Sequence, residues 1–563
     1  MADNVSQSSS GDQTPWVDGL SIGQVLRKTA RKFPQNEALV FPQLDRSVRF
    51  AELDAEVDRL ARGLLALGIE VGQKVAIWAT NCPEWVLLQL ASARIGAVLV
   101  TINPSYRTAE LAYVLKQSDA QVLFLIASFR ASDYFKILGE IVPEVLEEGS
   151  IANNEYPHLK HVVAIDGEPL PGMLAWETLL DQGEGVEAAL VAAREATLQA
   201  TDAINIQYTS GTTGFPKGAT LTHRNLLLNA YYVGNCQQIT ADDRICIPVP
   251  FYHCFGCVLG VLCATVYGAT MVIPAEYFDA KATLTAIEAE RVTVIYGVPT
   301  MFISMLDHQS FAECSLSSLR TGIMAGSPCP IEVMRRVVDE MGAKEITIAY
   351  GLTEASPVIT QTRTDDPLEL RVKTVGRPIP DIEVKLIDPA NGNEVGDEQQ
   401  GELCVRGHVV MLGYYHMPEM TAEAIDPEGW LHSGDLAVRQ PNGYYRITGR
   451  IKDMICRGGE NVYPREIEEF LYTHPDVQDV AVVGIPDPKL VEEIAAWVKL
   501  RDGAACTGDK LRDYCREKLA RYKVPRYVRV VSEFPQTVTG KVQKFKIREA
   551  MIEELGLEES ETA

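Results

Sequence analysis

Basic residues are scarce in this sequence. Among its 563 residues, 52 are Lys or Arg and 76 are Asp or Glu, so the formal net charge is −24 at pH 7. A broad nucleic-acid surface needs clustered cations that neutralise phosphates, and this balance therefore argues against a protein that binds nucleic acid. Any anionic ligand must instead meet a local group of basic residues.

Regularly spaced cysteines are also missing. The 12 cysteines include one C-x-x-C, Cys254 and Cys257 in the segment HCFGC. No second pair and no nearby pair of histidines completes a zinc site. A metal or redox role for this pair is the alternative. We interpret the cysteines as reduced, apolar residues near a pocket, in a cytoplasmic protein.

A targeting segment and an uninterrupted membrane span are absent as well. The start, MADNVSQSSSGDQ, is polar and lacks an apolar h-region or an arginine-rich amphipathic pattern, so we expect a disordered tail over residues 1–20. The longest uncharged run, 257–275, has the length of a membrane span, but Gly268 and Pro274 interrupt it. We expect a buried helix and then a strand there. A membrane span is the alternative, and peripheral membrane contact stays open.

What the first half contains is an alternation of helix and strand patterns. Apolar residues recur at steps of three and four from Phe50 to Leu64, and helical patterns also follow Pro83 and cover 108–117. An apolar strand pattern comes after each, at 74–79, 97–102 and 121–126. This alternation predicts α/β layers with mostly parallel strands. Residues 140–200 have a weaker pattern, from which no element is predicted.

Three further apolar strands run directly into loops rich in glycine or hydroxyl groups. They cover 204–208, 294–298 and 346–349. In open α/β sheets, ligands bind at the ends of strands. The loops after these strands are therefore the predicted ligand site.

The last hundred or so residues differ from the rest. Helices are predicted from Pro464 and over 508–522, with strands at 479–485, 494–500 and 527–531. The pattern favours a small α+β domain behind a hinge near Lys452. We expect a large N-terminal domain over 21–451, a small mobile domain over 452–550 and an acidic tail over 551–563.

The segment YTSGTTGFPKG at 208–218 has the composition of a phosphate cradle. Its glycines let backbone N–H groups face an anion, its hydroxyls donate hydrogen bonds and its lysine adds a point charge. The glycines are Gly211, Gly214 and Gly218, the hydroxyls are those of Thr209, Ser210, Thr212 and Thr213, and the lysine is Lys217. The Walker pattern is not met, because a glycine follows Lys217. A flexible polar surface loop is the alternative.

The segment YGLTEAS at 350–356 comes directly after a predicted strand. Glu354 is suited to Mg²⁺, which favours one or two carboxylates together with substrate phosphates. Thr353 is suited to a phosphate oxygen, and Tyr350 presents a flat ring for stacking on a purine. A helix cap is the alternative.

Two further segments place charged residues beside glycines. In GWLHSGDL, the carboxylate of Asp435 is suited to accept hydrogen bonds from two ribose hydroxyls, and a plain turn is the alternative. In GRIKDMICRGGENVYPREIE, Arg450 provides a cation, and Gly458 and Gly459 allow the backbone to approach a ligand closely. A hairpin turn is the alternative for these glycines.

A basic segment near the C-terminus reverses the overall charge. From Arg521 to Arg548 there are eight basic residues and one acidic residue, Glu533, and Lys541 follows Gly540 in a turn-like stretch. This local inversion indicates that a polyanion meets this face. A solvated face without a ligand is the alternative.

Taken together and in this order, these motifs resemble the adenylate-forming superfamily of acyl-CoA synthetases, firefly luciferase and peptide-synthetase adenylation domains. The resemblance spans about residues 20 to 550, and its motifs include YTSGTTGFPKG, YGLTEAS, GELCVRG, SGDL, GRIKD and TVTGKVQKFK. It is strongest to fatty acyl-CoA synthetases of the medium- to long-chain type. In that family a carboxylate attacks the α-phosphorus of ATP, pyrophosphate leaves, and coenzyme A then displaces AMP.

The resemblance implies a set of ATP-binding residues. The loop from Thr209 to Lys217 is expected to hold the triphosphate, Glu354 the Mg²⁺ ion and Thr353 the α-phosphate. Asp435 is expected to contact the ribose, Arg450 the ribose or a phosphate, and Lys541 to stabilise charge during adenylation. The expected adenine pocket consists of Gly326, Ser327, Pro328 and Tyr350.

The resemblance also implies an acyl and coenzyme A site and a hinge. His253, Val298 and Gly351 belong to the expected acyl site, where His253 serves as a gate or packing residue. Rotation of the small domain about Lys452 is expected to withdraw Lys541 and to line the thiol channel with Gly458 and Gly459.

Several alternatives share these motifs. A peptide-synthetase adenylation domain needs a carrier domain, and only 22 residues follow Lys541. A free-standing acyl or aminoacyl adenylation enzyme that loads a separate carrier protein is a further alternative. A luciferase-like oxygenase and a nucleotide-binding module without turnover remain, although the intact set of charged motif residues argues against the latter. The apolar segments around 296–302 and 251–260 contain no carboxylate for an amino group, so we favour a fatty acid, with an aryl acid as the alternative. The sequence does not define the oligomeric state.

Overall fold

The computed structural model describes residues 14–149, 151–209, 216–327, 329–458, 460–537 and 541–557. Over these ranges the chain forms a large N-terminal α/β domain and a smaller C-terminal domain, as predicted. One apolar core includes residues from Val17 to Ile447. Two smaller cores include residues between Ile455 and Met551.

The first sheet of the large domain has nine strands among the described residues, and its six central strands are parallel. In spatial order the strands are Arg377–Pro378, Val358–Gln361, Thr347–Gly351, Thr321–Met324, Val294–Gly297, Arg244–Cys246, Thr270–Val272, Glu37–Phe41 and Arg46–Arg49. Because the parallel strands end at one edge of the sheet, the loops after them lie side by side.

The second sheet has eight strands among the described residues and is also mostly parallel. In spatial order the strands are Gly413–Tyr414, Lys217–Thr222, Ala203–Thr209, Val98–Thr101, Lys74–Trp78, Ala120–Leu125, His161–Ala164 and Leu174–Ala175. A short ribbon pairs Ser128–Phe129 with Ser132–Asp133.

A third, antiparallel sheet completes the large domain and leads into the small one. Its strands are Ile382–Ile387, Gln400–Gly407, Leu431–Arg439 and Tyr445–Arg450. The turn Ile451–Asp453 follows. The sheet of the small domain has the order Glu460–Val462, Ile455–Arg457, Val491–Leu500 and Val477–Asp487, and Tyr527–Val531 pairs in parallel with Val491–Leu500.

The α-helices of the described residues pack against these sheets. They are Ile22–Lys32, Phe50–Ala66, Pro83–Ile95, Thr108–Gln117, Tyr134–Ile141, Trp176–Gly183, Ala188–Glu195, His223–Cys236, Cys263–Tyr267, Ala280–Ala289, Pro299–Leu306, Ile331–Asp339, Leu368–Lys373, Pro418–Ala424, Pro464–Leu471, Gly508–Lys518 and Lys544–Leu555. A π-helix, Phe255–Leu262, precedes Cys263–Tyr267.

The predicted helix and strand patterns of the first half are confirmed. The stripe from Phe50 to Leu64 is buried on the helix Phe50–Ala66, and the helix after Pro83 has that proline in its first turn, where the missing N–H is tolerated. The uncharged run 257–275 forms buried helices and then the strand Thr270–Val272, as predicted. No helix of the described residues is long and apolar enough to cross a membrane.

Three predicted boundaries were wrong. The helix predicted over 508–522 ends at Lys518, because Leu519 leaves it in an extended conformation to pack against the core of the small domain. The tail predicted over 1–20 is ordered from residue 14, since Val17 is buried in the large core. A tail was also predicted from 551, but Met551 is buried on the helix Lys544–Leu555. Residues 1–13 and 558–563 lie outside the described ranges.

Candidate active site

The predicted phosphate loop joins two antiparallel strands of the second sheet. Thr209 ends one strand and pairs in register with Lys217, which begins the next. Ser210, Gly211, Thr212, Thr213 and Gly214 lie outside the described residues. Gly218 belongs to the second strand, opposite Tyr208.

Glu354 lies next to both ends of this loop. It follows the strand Thr347–Gly351, in the short helical turn Thr353–Ala355. Its Oε1 accepts a hydrogen bond from the Tyr414 hydroxyl at 2.7 Å and lies 3.5 Å from the Thr209 hydroxyl. The Lys217 ammonium lies 5.1 Å from the centre of the Tyr414 ring. Tyr414 therefore connects the carboxylate suited to Mg²⁺ with the lysine of the phosphate loop.

Asp435 is the centre of a second polar group. The Arg450 Nε donates a hydrogen bond to its Oδ1 at 2.8 Å, and the Tyr350 hydroxyl donates to its Oδ2 at 2.8 Å. Asp435 and Arg450 face each other on neighbouring strands. Burial, followed by the Asp435 charge, raises the pKa of Tyr350 well above its usual value. Tyr350 thus stays a neutral donor that fixes the carboxylate.

Lys541 reaches the same cleft from the small domain. Its side chain is exposed to solvent in the cleft, yet the surrounding protein lowers the pKa of Lys541 by desolvation, and the Arg450 charge lowers it further. Asp435, Asp453 and Glu354 act in the opposite direction. The lysine predicted from the basic segment therefore lies within electrostatic range of both polar groups of the large domain.

His253 lies in the segment between the strand Arg244–Cys246 and the π-helix Phe255–Leu262. Burial, together with the Lys541 charge, lowers the pKa of His253 to about 4. Its Nδ1 accepts a hydrogen bond from the Phe255 N–H at 3.1 Å. The ring is therefore neutral at pH 7, which suits packing against an acyl chain more than ion pairing.

The two cysteines of HCFGC are buried beside this histidine. The Cys254 sulfur lies 3.8 Å from the Thr353 hydroxyl, and the Gln207 amide donates to the Cys257 sulfur at 3.3 Å. Burial raises the pKa of Cys254 to about 12. Burial also raises the pKa of Cys257, so both thiols are buried and protonated.

Glycines open the backbone at two of the strand ends. A Cβ on Gly351 would lie 1.8 Å from the Pro357 carbonyl oxygen, so this position requires glycine. Gly326 is exposed, Ser327 is half-buried, and a Cβ on Gly326 would lie 3.1 Å from the Val298 side chain. The expected adenine and acyl segments are thus neighbours. Pro328 lies outside the described residues.

The remaining predicted residues lie at the boundary with the small domain. Lys452 is exposed in the turn Ile451–Asp453. Gly458 lies at the end of a hairpin formed by Ile455–Arg457 and Glu460–Val462, and its N–H donates to the Leu490 carbonyl. Gly459 lies outside the described residues.

Family models match both parts of this arrangement. The model described as AMP-binding enzyme matches residues 26–415, and the model of the AMP-binding enzyme C-terminal domain matches residues 466–541. The chain belongs to the AMP-binding enzyme family. The predicted resemblance to the adenylate-forming superfamily is thereby confirmed.

Relatives from this family align with almost the whole chain. A Bacillus subtilis (strain 168) protein named as an acyl-CoA synthetase, YngI, is 51% identical over 545 residues, which are 96% of this chain and 99% of the relative. The mitochondrial medium-chain acyl-CoA ligase ACSF2 of Danio rerio is 42% identical over 97% of this chain and 92% of its own length. The solved anthranilate CoA ligase AuaEII in complex with anthranoyl-AMP is 28% identical, covers 96% of this chain and 98% of its own, and has a TM-score of 0.83.

Two residues that contact the motif residues and fix their positions were not predicted from the sequence. Tyr414, which donates to Glu354, comes 60 residues after it. Glu402, in the GELCVRG motif, accepts a hydrogen bond from the Gly434 N–H beside Asp435. Tyr414 lies in the segment GYY at 413–415, and Glu402 lies in GELCVRG. No local sequence pattern connects either residue with the partner that it contacts.

Proposed function

We propose that this protein activates a fatty acid with ATP and transfers the acyl group to coenzyme A. A carboxylate oxygen attacks the α-phosphorus, the bond to pyrophosphate breaks and acyl-AMP forms. The thiol of coenzyme A then attacks the acyl carbon, the bond to AMP breaks, and the thiol proton is released. The observation that supports this function best is the convergence of Glu354, Asp435 and Lys541 on one cleft from two domains.

In the first half of the reaction two anions meet, so positioning and charge stabilisation dominate. The loop from Thr209 to Lys217 binds the triphosphate, and Asp435 with Arg450 binds the ribose. Thr353 contacts the α-phosphate. Lys541 stabilises the charge that develops there during the attack.

The residues around Glu354 fit a Mg²⁺ ion. A carboxylate held by Tyr414, next to the phosphate loop, matches the preference of Mg²⁺ for one or two carboxylates with substrate phosphates. When bound, the ion neutralises phosphate charge. Glu354 itself holds the ion and is kept in place by the Tyr414 and Thr209 hydroxyls.

The second half needs a different arrangement of the domains. We propose that the large domain ends at 451, that the small domain begins at 452, and that rotation about Lys452 withdraws Lys541 and admits the thiol. The segment around Gly458 and Gly459 then lines the thiol channel. Twelve free cysteines in the chain support a cytoplasmic location.

The fatty acid is favoured by the walls of the expected acyl site. His253 is neutral, Val298 is apolar, and Cys254 is protonated. An aryl acid is the second candidate, because the similar solved structure of AuaEII is that of an anthranilate CoA ligase. The test is AMP release that depends on both ATP and coenzyme A over acetate, hexanoate, octanoate, dodecanoate, palmitate, benzoate and coumarate. A maximum among the straight chains supports the proposal, and a maximum on an aryl acid contradicts it.

Tyr296 is proposed to close the acyl site at its inner end. It lies on the strand Val294–Gly297, two residues before Val298, the extended N-cap residue of the next helix, and thus about 7 Å deeper at the usual rise per residue. The ring is fully buried and contacts Phe255, and its hydroxyl accepts a hydrogen bond from Gln237 at 3.2 Å. A long acyl chain therefore meets an aromatic ring with a polar group behind it.

Replacing Tyr296 with alanine is expected to shift the preference toward longer acids. If the variant buries two additional methylenes, kcat/KM for palmitate relative to octanoate rises about tenfold. The Tyr296→Phe variant retains the ring and serves as the control with an unchanged profile. An unchanged profile in a folded Tyr296→Ala variant would contradict the assignment.

The rate of adenylation is expected to fall at alkaline pH earlier than an ordinary lysine would allow. The cation of Lys541 is the required form, and its lowered pKa means that this form is lost at a lower pH than in an ordinary lysine. The pH dependence of kcat/KM for ATP reports ionisations of the free enzyme. We expect kcat/KM to decline at a pH below about 10.4, the usual pKa of lysine. Lys541→Arg should move the decline to higher pH, because arginine stays charged. An identical decline in both proteins would refute this origin.

A further inference from the structure

We infer that Glu402 positions Asp435 for the ribose of ATP by supporting a bulge in the third sheet. The inference builds on the proposed role of Asp435. Glu402 belongs to the GELCVRG motif, and the proposed function gives it no role. It is 8% exposed, so its charge must be satisfied by protein groups.

The strand that carries Asp435 does not pair regularly with the strand of Glu402. Glu402 pairs with Leu436, and Cys404 pairs with His432. Three residues of one strand, Ser433 to Asp435, therefore face the single residue Leu403. Such a bulge bends a strand and redirects its side chains, and this one precedes the side chain that contacts Arg450 and Tyr350.

The bulge leaves backbone N–H groups without partners in the sheet. Gly434 has a φ of +70°, which suits glycine, and its N–H donates to the Glu402 Oε1 at 3.0 Å. The Asp435 N–H donates to the Ser433 hydroxyl oxygen at 3.1 Å. The glutamate thus satisfies the backbone directly before the ribose-binding carboxylate.

The other oxygen of Glu402 fixes the orientation of its carboxylate. It lies 3.1 Å from the His432 Nδ1, which carries the proton in the tautomer that suits a carboxylate acceptor. The His432 Nε2 lies 3.7 Å from Asp426. Both Glu402 oxygens therefore have partners in one segment, 432–435, and a glutamine in its place offers a single acceptor oxygen for two donors.

The test compares ATP with 2′,3′-dideoxy-ATP in the adenylation half-reaction of the full-length protein. For Glu402→Gln we expect KM for ATP to rise about tenfold, since a hydrogen bond to a charged acceptor is lost, while kcat and KM for the fatty acid change little. The decisive result is a smaller preference for ATP over the dideoxy analogue. If Glu402 had a purely structural role, Glu402→Gln would weaken the binding of ATP and of the dideoxy analogue by the same factor.

Two further variants make the result independent of folding. His432→Ala removes one of the two partners of Glu402 and is expected to reduce the same preference by a smaller factor. Glu383→Gln removes an exposed carboxylate from the same sheet, where it pairs with Arg406, and is expected to leave the preference unchanged. Thermal unfolding of each variant checks its fold.

The failure of this inference differs from the failure of the proposed function. Absence of acyl-AMP in the wild-type protein overturns the proposed function. A wild-type protein that forms acyl-AMP, together with Glu402→Gln and His432→Ala variants that retain the full preference for ATP, overturns the role of Glu402.

Discussion

Replacing Lys541 with alanine is expected to slow acyl-AMP formation by about 10²- to 10³-fold, the usual loss when one charge-stabilising donor is removed from an active site. The thioester step from supplied acyl adenylate should persist, because Lys541 is proposed to leave the nucleotide before the thiol enters. The measurement is the single-turnover rate of each half-reaction, with octanoate and ATP for the first and octanoyl-AMP and coenzyme A for the second.

A neighbouring lysine provides the matched control. Lys546 is exposed on the helix Lys544–Leu555, so Lys546→Ala makes the same change of charge in the same part of the small domain. Its adenylation rate should stay near that of the wild type. Equal losses in both half-reactions of Lys541→Ala would contradict the rotation about Lys452.

Replacing Glu354 with glutamine is expected to lower the rate of acyl-AMP formation by about 10²-fold, because charge stabilisation by the ion contributes several kcal/mol. The amide keeps the size of the side chain and removes the charge that is proposed to hold Mg²⁺. The concentration of Mg²⁺ at half-maximal rate should rise as well. The measurement is the rate of acyl-AMP formation over a Mg²⁺ titration at fixed ATP.

Tyr414→Phe tests the hydrogen bond that supports Glu354 separately from the Glu354 carboxylate itself. This variant keeps the Glu354 charge and removes the hydroxyl that donates to it at 2.7 Å, so a loss of about tenfold is expected. Glu419→Gln, an exposed change on the helix Pro418–Ala424, serves as the control for charge. A Glu354→Gln variant with wild-type rate and Mg²⁺ dependence would exclude this carboxylate as the ligand.

The parts of the site that lie at strand ends could be predicted from the sequence. The strands Ala203–Thr209 and Thr347–Gly351 are short apolar runs followed by polar loops, and both the period and the loop composition are local properties. The register of Asp435 with Arg450 was not predicted, although both residues were identified. Pairing between strands depends on distant residues, which a local pattern does not encode.

The supporting contacts could not be predicted for the same reason. Tyr414 contacts Glu354 across 60 residues, and Glu402 contacts Gly434 across 32. Each lies in a segment whose own composition is that of an ordinary strand. Their role follows only from the arrangement of the sheets, because burial of a charged or hydroxyl group requires a partner wherever the fold provides one.

The predicted limits of the two tails were wrong because the composition of a polar segment does not reveal a single buried apolar residue. Val17 follows a polar start, and Met551 stands in an acidic stretch, yet both are buried. One apolar side chain in a polar segment adds too little to a periodic pattern to be recognised. It is nevertheless enough to hold a turn or a last helical turn against a core.

The central claim is that one cleft forms acyl-AMP and then passes the acyl group to coenzyme A. The most direct measurement is a rapid-quench experiment with radiolabelled octanoate, ATP and Mg²⁺ and with enzyme in excess, followed by addition of coenzyme A. We predict that acyl-AMP accumulates on the enzyme without coenzyme A and is converted into acyl-CoA, with release of AMP, after its addition. Acyl-AMP that persists in the presence of coenzyme A, or a failure to form it at all, would contradict the account.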